Sequence, residues 1–260
     1  MEVLSTKLSI RNLSKTYDGV PVLQKLSFDI YDGEFLSILG SSGCGKTTLL
    51  RILIGLEHAD SGKIMKDGID ITKLNSSERG MGIVFQNYAL FPNMTVLQNV
   101  EYALTLKKET KKTSRKTATR ILEQIGLSDH IHKQPGQLSG GQQQRVAIAR
   151  TLATNPDIIL LDEPLAALDA ANREIMKSEL KALQKEFHVT MVFITHDQEE
   201  AFSLSDRVMV MNNGNIEQLD SPMQIYQNPA SRYISEFVVD QLDKKYQNLL
   251  QYTGRGSHEE

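Results

Sequence analysis

Short apolar segments separated by turn-forming pairs open this chain. Lys7-Leu-Ser-Ile-Arg-Asn-Leu13 and Leu26-Ser-Phe-Asp-Ile30 read as strands, with Asp18-Gly19 and Asp32-Gly33 supplying the turns. Phe35-Leu-Ser-Ile-Leu39 is a short apolar run of the kind buried on both faces of a sheet, and Met81–Phe85, Ile158–Leu161 and Met191–Thr195 repeat that character. Helical spacing, first seen over Thr47–Leu56, alternates with these runs, which predicts an α/β fold with a mostly parallel sheet and an N-terminal antiparallel β subdomain. Between about 87 and 155 strand candidates vanish and helices dominate, so this block reads as a helical subdomain inserted in the core, with Pro156 marking the return to the sheet. After Arg207 come short strands around an Asn213-Gly214 turn, then a short helix near Met223–Tyr226. The pattern divides the chain into one domain over 1–240 and a polar tail over 241–260. In that tail Leu242, Tyr246 and Leu249 share one helix face, and Gly254–Glu260 reads as a disordered end.

Composition narrows the setting. At 260 residues there is room for one large α/β domain, and 40% hydrophobic with 23% charged residues is an ordinary globular balance. A formal charge of −3 gives no general attraction to nucleic acid or an anionic membrane. The single cysteine excludes an intrachain disulfide and fits a reducing compartment. No apolar run approaches the roughly 18 residues of a membrane span, and Met1–Lys7 has no signal-peptide core, so the expectation is a soluble cytoplasmic chain that reaches a membrane only through a partner. Lys107–Lys116 is a basic run without interleaved aromatics and reads as a solvated face rather than a nucleic-acid site.

Three short motifs carry chemistry. Gly40-Ser-Ser-Gly-Cys-Gly-Lys-Thr47 fits G-x-x-x-x-G-K-[ST], with a strand before it and a helix after it. Its glycines let backbone N–H groups turn onto phosphate oxygens, and the following helix adds the positive end of its dipole. Lys46 is the point charge for the outer phosphates, the Thr47 hydroxyl a ligand for Mg²⁺, and Cys44 filler. Ile158-Ile-Leu-Leu-Asp162-Glu163 delivers two adjacent carboxylates at the end of an apolar strand, where α/β sheets bind ligands. Asp162 is expected to hold Mg²⁺ through water. Glu163, pointing away from Asp162 as strand neighbours do, is expected to orient or deprotonate an attacking water. The third motif is Leu138-Ser139-Gly140-Gly141-Gln142, in which Ser139 caps a helix and the two glycines bare N–H groups to form a second anion site. One nucleotide needs one such loop, so the pair of signatures points to an active site completed by a second copy of the chain.

With these motifs in this order, the chain resembles the nucleotide-binding subunit of ABC transporters over about residues 5–240. The resemblance implies a P-loop NTPase core, ATP and Mg²⁺ as the bound species, and two subunits paired head to tail as a homodimer. ATP would lie between Gly40, Ser41, Ser42, Gly43, Cys44, Gly45, Lys46, Thr47 and Thr48 of one copy and Leu138–Gln142 of the other. It further implies that Tyr17 stacks on adenine, that Gln86 touches Mg²⁺ and the attacking water, and that His196 contacts the γ-phosphate. Ala167-Leu-Asp169 matches the segment that crosses the dimer interface, with Ala166 where the family usually has serine.

Asn87–Val100 resembles importer ATPases of the maltose, polyamine, iron(III) and phosphonate type, in which this region forms a cleft for a cytoplasmic helix of the permease. Tyr88, Leu90, Phe91 and Met94 suit such a surface, although the same residues suit the subdomain core. The implied partners are a second ATP-binding subunit, membrane permease subunits and, indirectly, an extracytoplasmic solute-binding protein, with no nucleic acid. The implied place is the cytoplasmic face of the membrane. The solute is left among iron(III), a phosphonate and a polyamine. Pro222–Phe237 resembles the run-up to the regulatory β-barrel of many such importers, and no barrel sequence follows in these 260 residues. An exporter subunit is the alternative reading. A soluble relative acting on DNA or ribosomes fits less well, since only about ninety residues separate Lys46 from Ser139, too few for a long coiled coil.

Overall fold

The computed structural model describes residues 5–106 and 110–252. Strands β1 (Thr6–Tyr17) and β2 (Val20–Tyr31) form an antiparallel hairpin, and β4 (Ser61–Lys66) and β5 (Ile69–Asp70) extend it into a four-stranded sheet of order β2-β1-β4-β5. One face is apolar: Leu8, Ile10 and Leu13 from β1 and Leu23, Leu26 and Phe28 from β2 are all buried. Register shifts along β1 mark bulges, which keep that face inward despite the break in alternation.

The second sheet has the order β10-β9-β3-β8-β7-β6. Its strands are β3 (Phe35–Gly40), β6 (Met81–Val84), β7 (Ile158–Asp162), β8 (Thr190–Thr195), β9 (Arg207–Asn212) and β10 (Asn215–Asp220). All pairings are parallel except the β9–β10 hairpin. β3 and β8 are buried at every position, as their unbroken apolar runs require when helices cover both faces. Helix α1 (Lys46–Ile54) joins this sheet to the first, and Leu49, Leu50 and Leu53 pack in one cluster with Ile38, Ile194 and Leu13.

Between β6 and β7 run α2 (Val96–Leu106), α3 (Lys111–Gln124) and α4 (Gly140–Ala153). Their buried faces meet around Val100, Leu104, Ile121, Leu122 and Val146, in a cluster continuous with the sheet through Ile159, Leu161 and Phe193. Helices α5 (Ala170–Phe187) and α6 (Gln198–Leu204) flank β8, and α7 (Pro222–Gln227) follows β10. The described part of the tail, as far as Tyr252, is helical. α8 (Arg232–Ile234), a π-helical turn over Ser235–Val239 and α9 (Asp240–Tyr252) run on from one another. Ile234, Val238 and Leu242 pack against Leu39, Ala201 and Val210 in a third cluster. Residues 254–260, read above as disordered, and part of the basic run, 107–109, lie outside the described residues.

Candidate functional site

The phosphate loop begins where β3 ends. A Cβ on Gly40 would sit 2.5 Å from the Met211 carbonyl oxygen and 2.7 Å from Cys44 Sγ, so the neighbouring strand and the loop itself demand glycine. Gly43 and Gly45 adopt φ of +81° and +104°, and a Cβ on Gly45 would meet the Val22 oxygen at 2.7 Å. Cys44 is buried beneath the loop, its amide donating to Ser41 O and its carbonyl accepting from Gly214 N–H. Burial raises its thiol pKa against the opposing pull of Lys46, which keeps the filler neutral.

Helix α1 starts at Lys46 with no acidic residue in its first turn, leaving its N–H groups and dipole to an anion. The Lys46 side chain is buried, and Nζ donates to the carbonyls of Gly40 at 2.7 Å and Ser41 at 2.9 Å. Ser42, Gly43, Gly45, Lys46, Thr47 and Thr48, together with Val22 and Glu163, line a cleft of about 270 Å³.

Asp162 ends β7 with Oδ1 3.5 Å from Thr47 Oγ1. Burial, then the charge of Glu163, raises its carboxyl pKa, while Thr47, Arg51 and Lys46 oppose the rise. A hydroxyl and a desolvated carboxylate side by side fit a hard divalent cation, and a Mg²⁺ completing its shell with phosphate oxygens and water needs few protein ligands. Among the described residues no cluster of three His, Cys, Asp or Glu offers a closed metal cage.

Glu163 differs from the strand-neighbour expectation. β7 stops at Asp162, and Glu163 takes the left-handed conformation with φ +45°. Its amide donates to Ile194 O at 3.1 Å, and this crossing to β8 brings its carboxylate into the cleft. There Oε2 lies 3.3 Å from Nδ1 of His196, just past β8 and mostly exposed. The left-handed turn, not strand alternation, therefore sets where Glu163 points. Gln86 is exposed beyond the end of β6, the neighbour of β7 in the sheet. Tyr17 ends β1, exposed on one side, with Lys15 Nζ 4.9 Å from its ring centroid.

The second signature forms a capping box: the Gln142 amide donates to Ser139 Oγ at 3.3 Å and the Ser139 amide to Gln142 Oε1 at 3.0 Å. Ser139 and Gly140 are exposed, and none of Leu138–Gln142 lines the cleft that holds Lys46. A Cβ on Gly140 would lie 3.5 Å from Leu168, next to Asp169, which caps α5 by accepting from Asn172 N–H. A Cβ on Gly141 would meet nothing within 4 Å, so its bareness faces outward.

For Tyr88 the core alternative holds, not the docking surface. It is buried in the helical core at φ +60°, and burial raises its phenol pKa. Arg150 holds this turn by donating to Tyr88 O and Ala89 O. Leu90 and Met94 are half-buried, Leu90 against the same core. Phe91 remains accessible, edge-on to Tyr102 at 4.8 Å and 5.7 Å from the Arg150 guanidinium. Tyr102, Leu106 and Arg150, which the sequence reading passed over, join Phe91 and Ile83 in a groove of about 290 Å³. The i, i+4 spacing of Tyr102 and Leu106 on one side of α2 was the available signal.

Comparison with known proteins agrees with this layout. The chain is 51% identical over 233 residues to the spermidine/putrescine import ATP-binding protein PotA of Marinobacter nauticus, covering 90% of this chain and 62% of that protein. It is 51% identical to the sulfate/thiosulfate import ATP-binding protein CysA 2 of Chromobacterium violaceum, covering 91% and 64% of the two chains. With PotA of Thermotoga maritima the identity is 46%, again covering 91% and 64%. The chain thus spans a little under two thirds of the length of these relatives. Among solved structures, the ATP-binding cassette MJ0796, a dimer in a post-hydrolysis state bound to ADP and Pi, superposes with a TM-score of 0.73 at 37% identity, covering 83% of this chain and 98% of that one. The sequence model described as ABC transporter matches residues 23–166, more than half the chain, and on that match, with the fold and site geometry behind it, the chain belongs to the ABC transporter family.

Proposed function

We propose that this chain is an ATP-hydrolysing subunit that powers import of a small solute through a membrane permease. The observation that carries the reading is the convergence of Lys46 and Thr47 with Asp162, Glu163 and His196, five side chains delivered by the C-terminal ends of β3, β7 and β8. Lys46 would exchange its loop carbonyls for phosphate oxygens, and the baring of N–H groups by Gly43 and Gly45 supports the same contact. Thr47, Asp162 and Gln86 would hold Mg²⁺, which when bound neutralises phosphate charge. Glu163 orients the attacking water, and His196 steadies both Glu163 and the terminal phosphate.

Tyr17 carries the adenine ring. Leu138–Gln142 of a second copy covers the nucleotide from the other side, since none of those residues reaches the cleft of their own chain. Nucleotide that touches both copies only when they close would drive that closure, and hydrolysis would release it. No described helix is long and apolar enough to cross a membrane. The groove at Phe91 and Tyr102 is the place where a permease segment would dock, putting the chain at the cytoplasmic face of the membrane. A solute-binding protein would act on the far side. Two of the three relatives compared are named for spermidine/putrescine, which makes a polyamine the first solute to test.

Glu163→Gln tests the chemistry. Turnover of MgATP should fall about 10²–10⁴-fold, the usual contribution of a positioned acid or base, with ATP binding retained. Turnover within threefold of the unsubstituted chain would remove Glu163 from this role.

A further inference from the structure

His196 stands at the edge of the cleft, mostly exposed, and its own side-chain contact is the 3.3 Å approach to Glu163. What holds its backbone in place lies in the residues that follow. Thr195 Oγ1 accepts from the Asp197 amide at 3.0 Å and donates to Glu200 Oε2 at 2.6 Å. Asp197 Oδ1 accepts from the amides of Glu199 and Glu200, capping α6. The other carboxylate oxygen, Oδ2, accepts from Lys245 Nζ of α9 at 3.0 Å, and Glu199 Oε2 lies 3.6 Å from the same ammonium.

Lys245 thus reaches 48 residues back along the chain to the residue directly after His196. Its own element is fixed. Ile234 and Val238, on the run leading into α9, are fully buried against Leu39 and Ala201, and Gln198 Nε2 of α6 donates to Phe237 O at 2.9 Å. The Asp197 carboxyl titrates low: burial works the other way, but the Lys245 ammonium and the two capping amides outweigh it. The carboxylate is therefore present to pair across the neutral range.

We propose that Lys245 is a positioning residue for hydrolysis: through Asp197 it pins the turn that carries His196, so that α9 sets the rate of turnover and not the affinity for nucleotide. This rests on the reading of His196 and Glu163 as parts of an ATPase site. The pair is partly exposed, so its effect is modest, and the α6 cap persists without it.

The test is Lys245→Ala and Lys245→Arg in the full chain, alone and combined with His196→Ala. Lys245→Ala should lower kcat about two- to fivefold, the range of an exposed ion pair, with KM and ATP affinity unchanged and with recovery in Lys245→Arg. In the His196→Ala background Lys245→Ala should have no further effect on kcat. Independently of turnover, the NMR resonance of the His196 ring should broaden or shift in Lys245→Ala and return in Lys245→Arg. An unmoved His196 resonance, or equal kcat losses with and without His196, would overturn the positioning role. A chain that does not hydrolyse ATP at all would instead overturn the ATPase reading, and the resonance would still decide whether Lys245 holds the turn.

Discussion

Arg79→Met should destabilise the domain by about 2–4 kcal/mol, although no sequence motif marks Arg79. Arg79 is 1% exposed and, among the described residues, has no carboxylate partner within salt-bridge range. Its guanidinium donates instead to four carbonyls: Ile52 O at 2.8 Å, Leu53 O at 2.9 Å, Leu74 O at 3.0 Å and Thr72 O at 3.0 Å. The first two belong to the last turn of α1, where carbonyls lack intrahelical donors and a cation complements the dipole. Ile52 O also accepts from Gly55 N–H, so methionine, which keeps the apolar stem, strips Leu53 O of the one hydrogen bond outside the helix that it makes among the described residues. One orphaned buried carbonyl costs about 1–3 kcal/mol, and the remaining charge-assisted bonds add to that. Release of a desolvated cation offsets part of the loss; burial already lowers the Arg79 pKa. At an m-value of about 3 kcal/mol/M, a loss near 3 kcal/mol moves the urea midpoint down by about 1 M. A shift below about 0.2 M would mean that these carbonyls find water, and the capping argument would be wrong.

Three further substitutions test other parts of the structure. Gly45→Ala should weaken ATP binding at least about tenfold and destabilise the fold by about 1–3 kcal/mol, because φ of +104° and the Val22 carbonyl at 2.7 Å leave no room for a methyl group. Gly141→Ala, where the methyl meets nothing, should leave the melting temperature of the isolated chain unchanged or raised; equal damage at both positions would refute the distinction. For Glu200, burial first and then Asp197 raise the carboxyl pKa above its ordinary 4.5, against Thr195, Arg173 and His196. A carboxyl whose folded pKa is raised adds stability below that value and loses it as pH rises through it. Glu200→Gln should therefore be the more stable form at neutral pH, with its advantage over the unsubstituted chain fading as pH falls toward 4.5. Urea titrations at several pH values measure this, and a constant difference would refute it.

What the sequence made legible was local. The phosphate loop needs glycines at fixed offsets between an apolar strand and a helix, and the Ser139 cap needs Gln142 three residues on, so both show in the spelling of the chain. β3, β7 and β8 were legible as unbroken apolar runs for the same reason. β4 was not: Ser61-Gly-Lys-Ile-Met-Lys66 has one fully buried side chain, Ile64, and the half-buried Lys66 turns to Asp157, so alternation is too thin to see. Arg79 was invisible because its partners are carbonyls, which every residue carries. Tyr88 stays open between a docking face and the core in the sequence because apolar residues suit both, and only the left-handed turn held by Arg150 decides which way it points. For Glu163 the sequence could not show the local backbone, since one positive φ replaces the alternation that a strand would impose. The link from Lys245 to Asp197 spans 48 residues and two elements, a distance at which pairing of ordinary charges leaves no pattern.

The central claim is that two copies make one site, with the phosphate loop of one facing the Ser139 helix of the other. The direct measurement is the sedimentation of Glu163→Gln with MgATP, with and without Ser139→Arg, alongside ATP binding by each at concentrations where the chain is monomeric. The account predicts an ATP-dependent dimer for Glu163→Gln, and a monomer that still binds ATP when Ser139→Arg is added. Loss of ATP binding together with the dimer would place Leu138–Gln142 in the chain's own site and contradict the account.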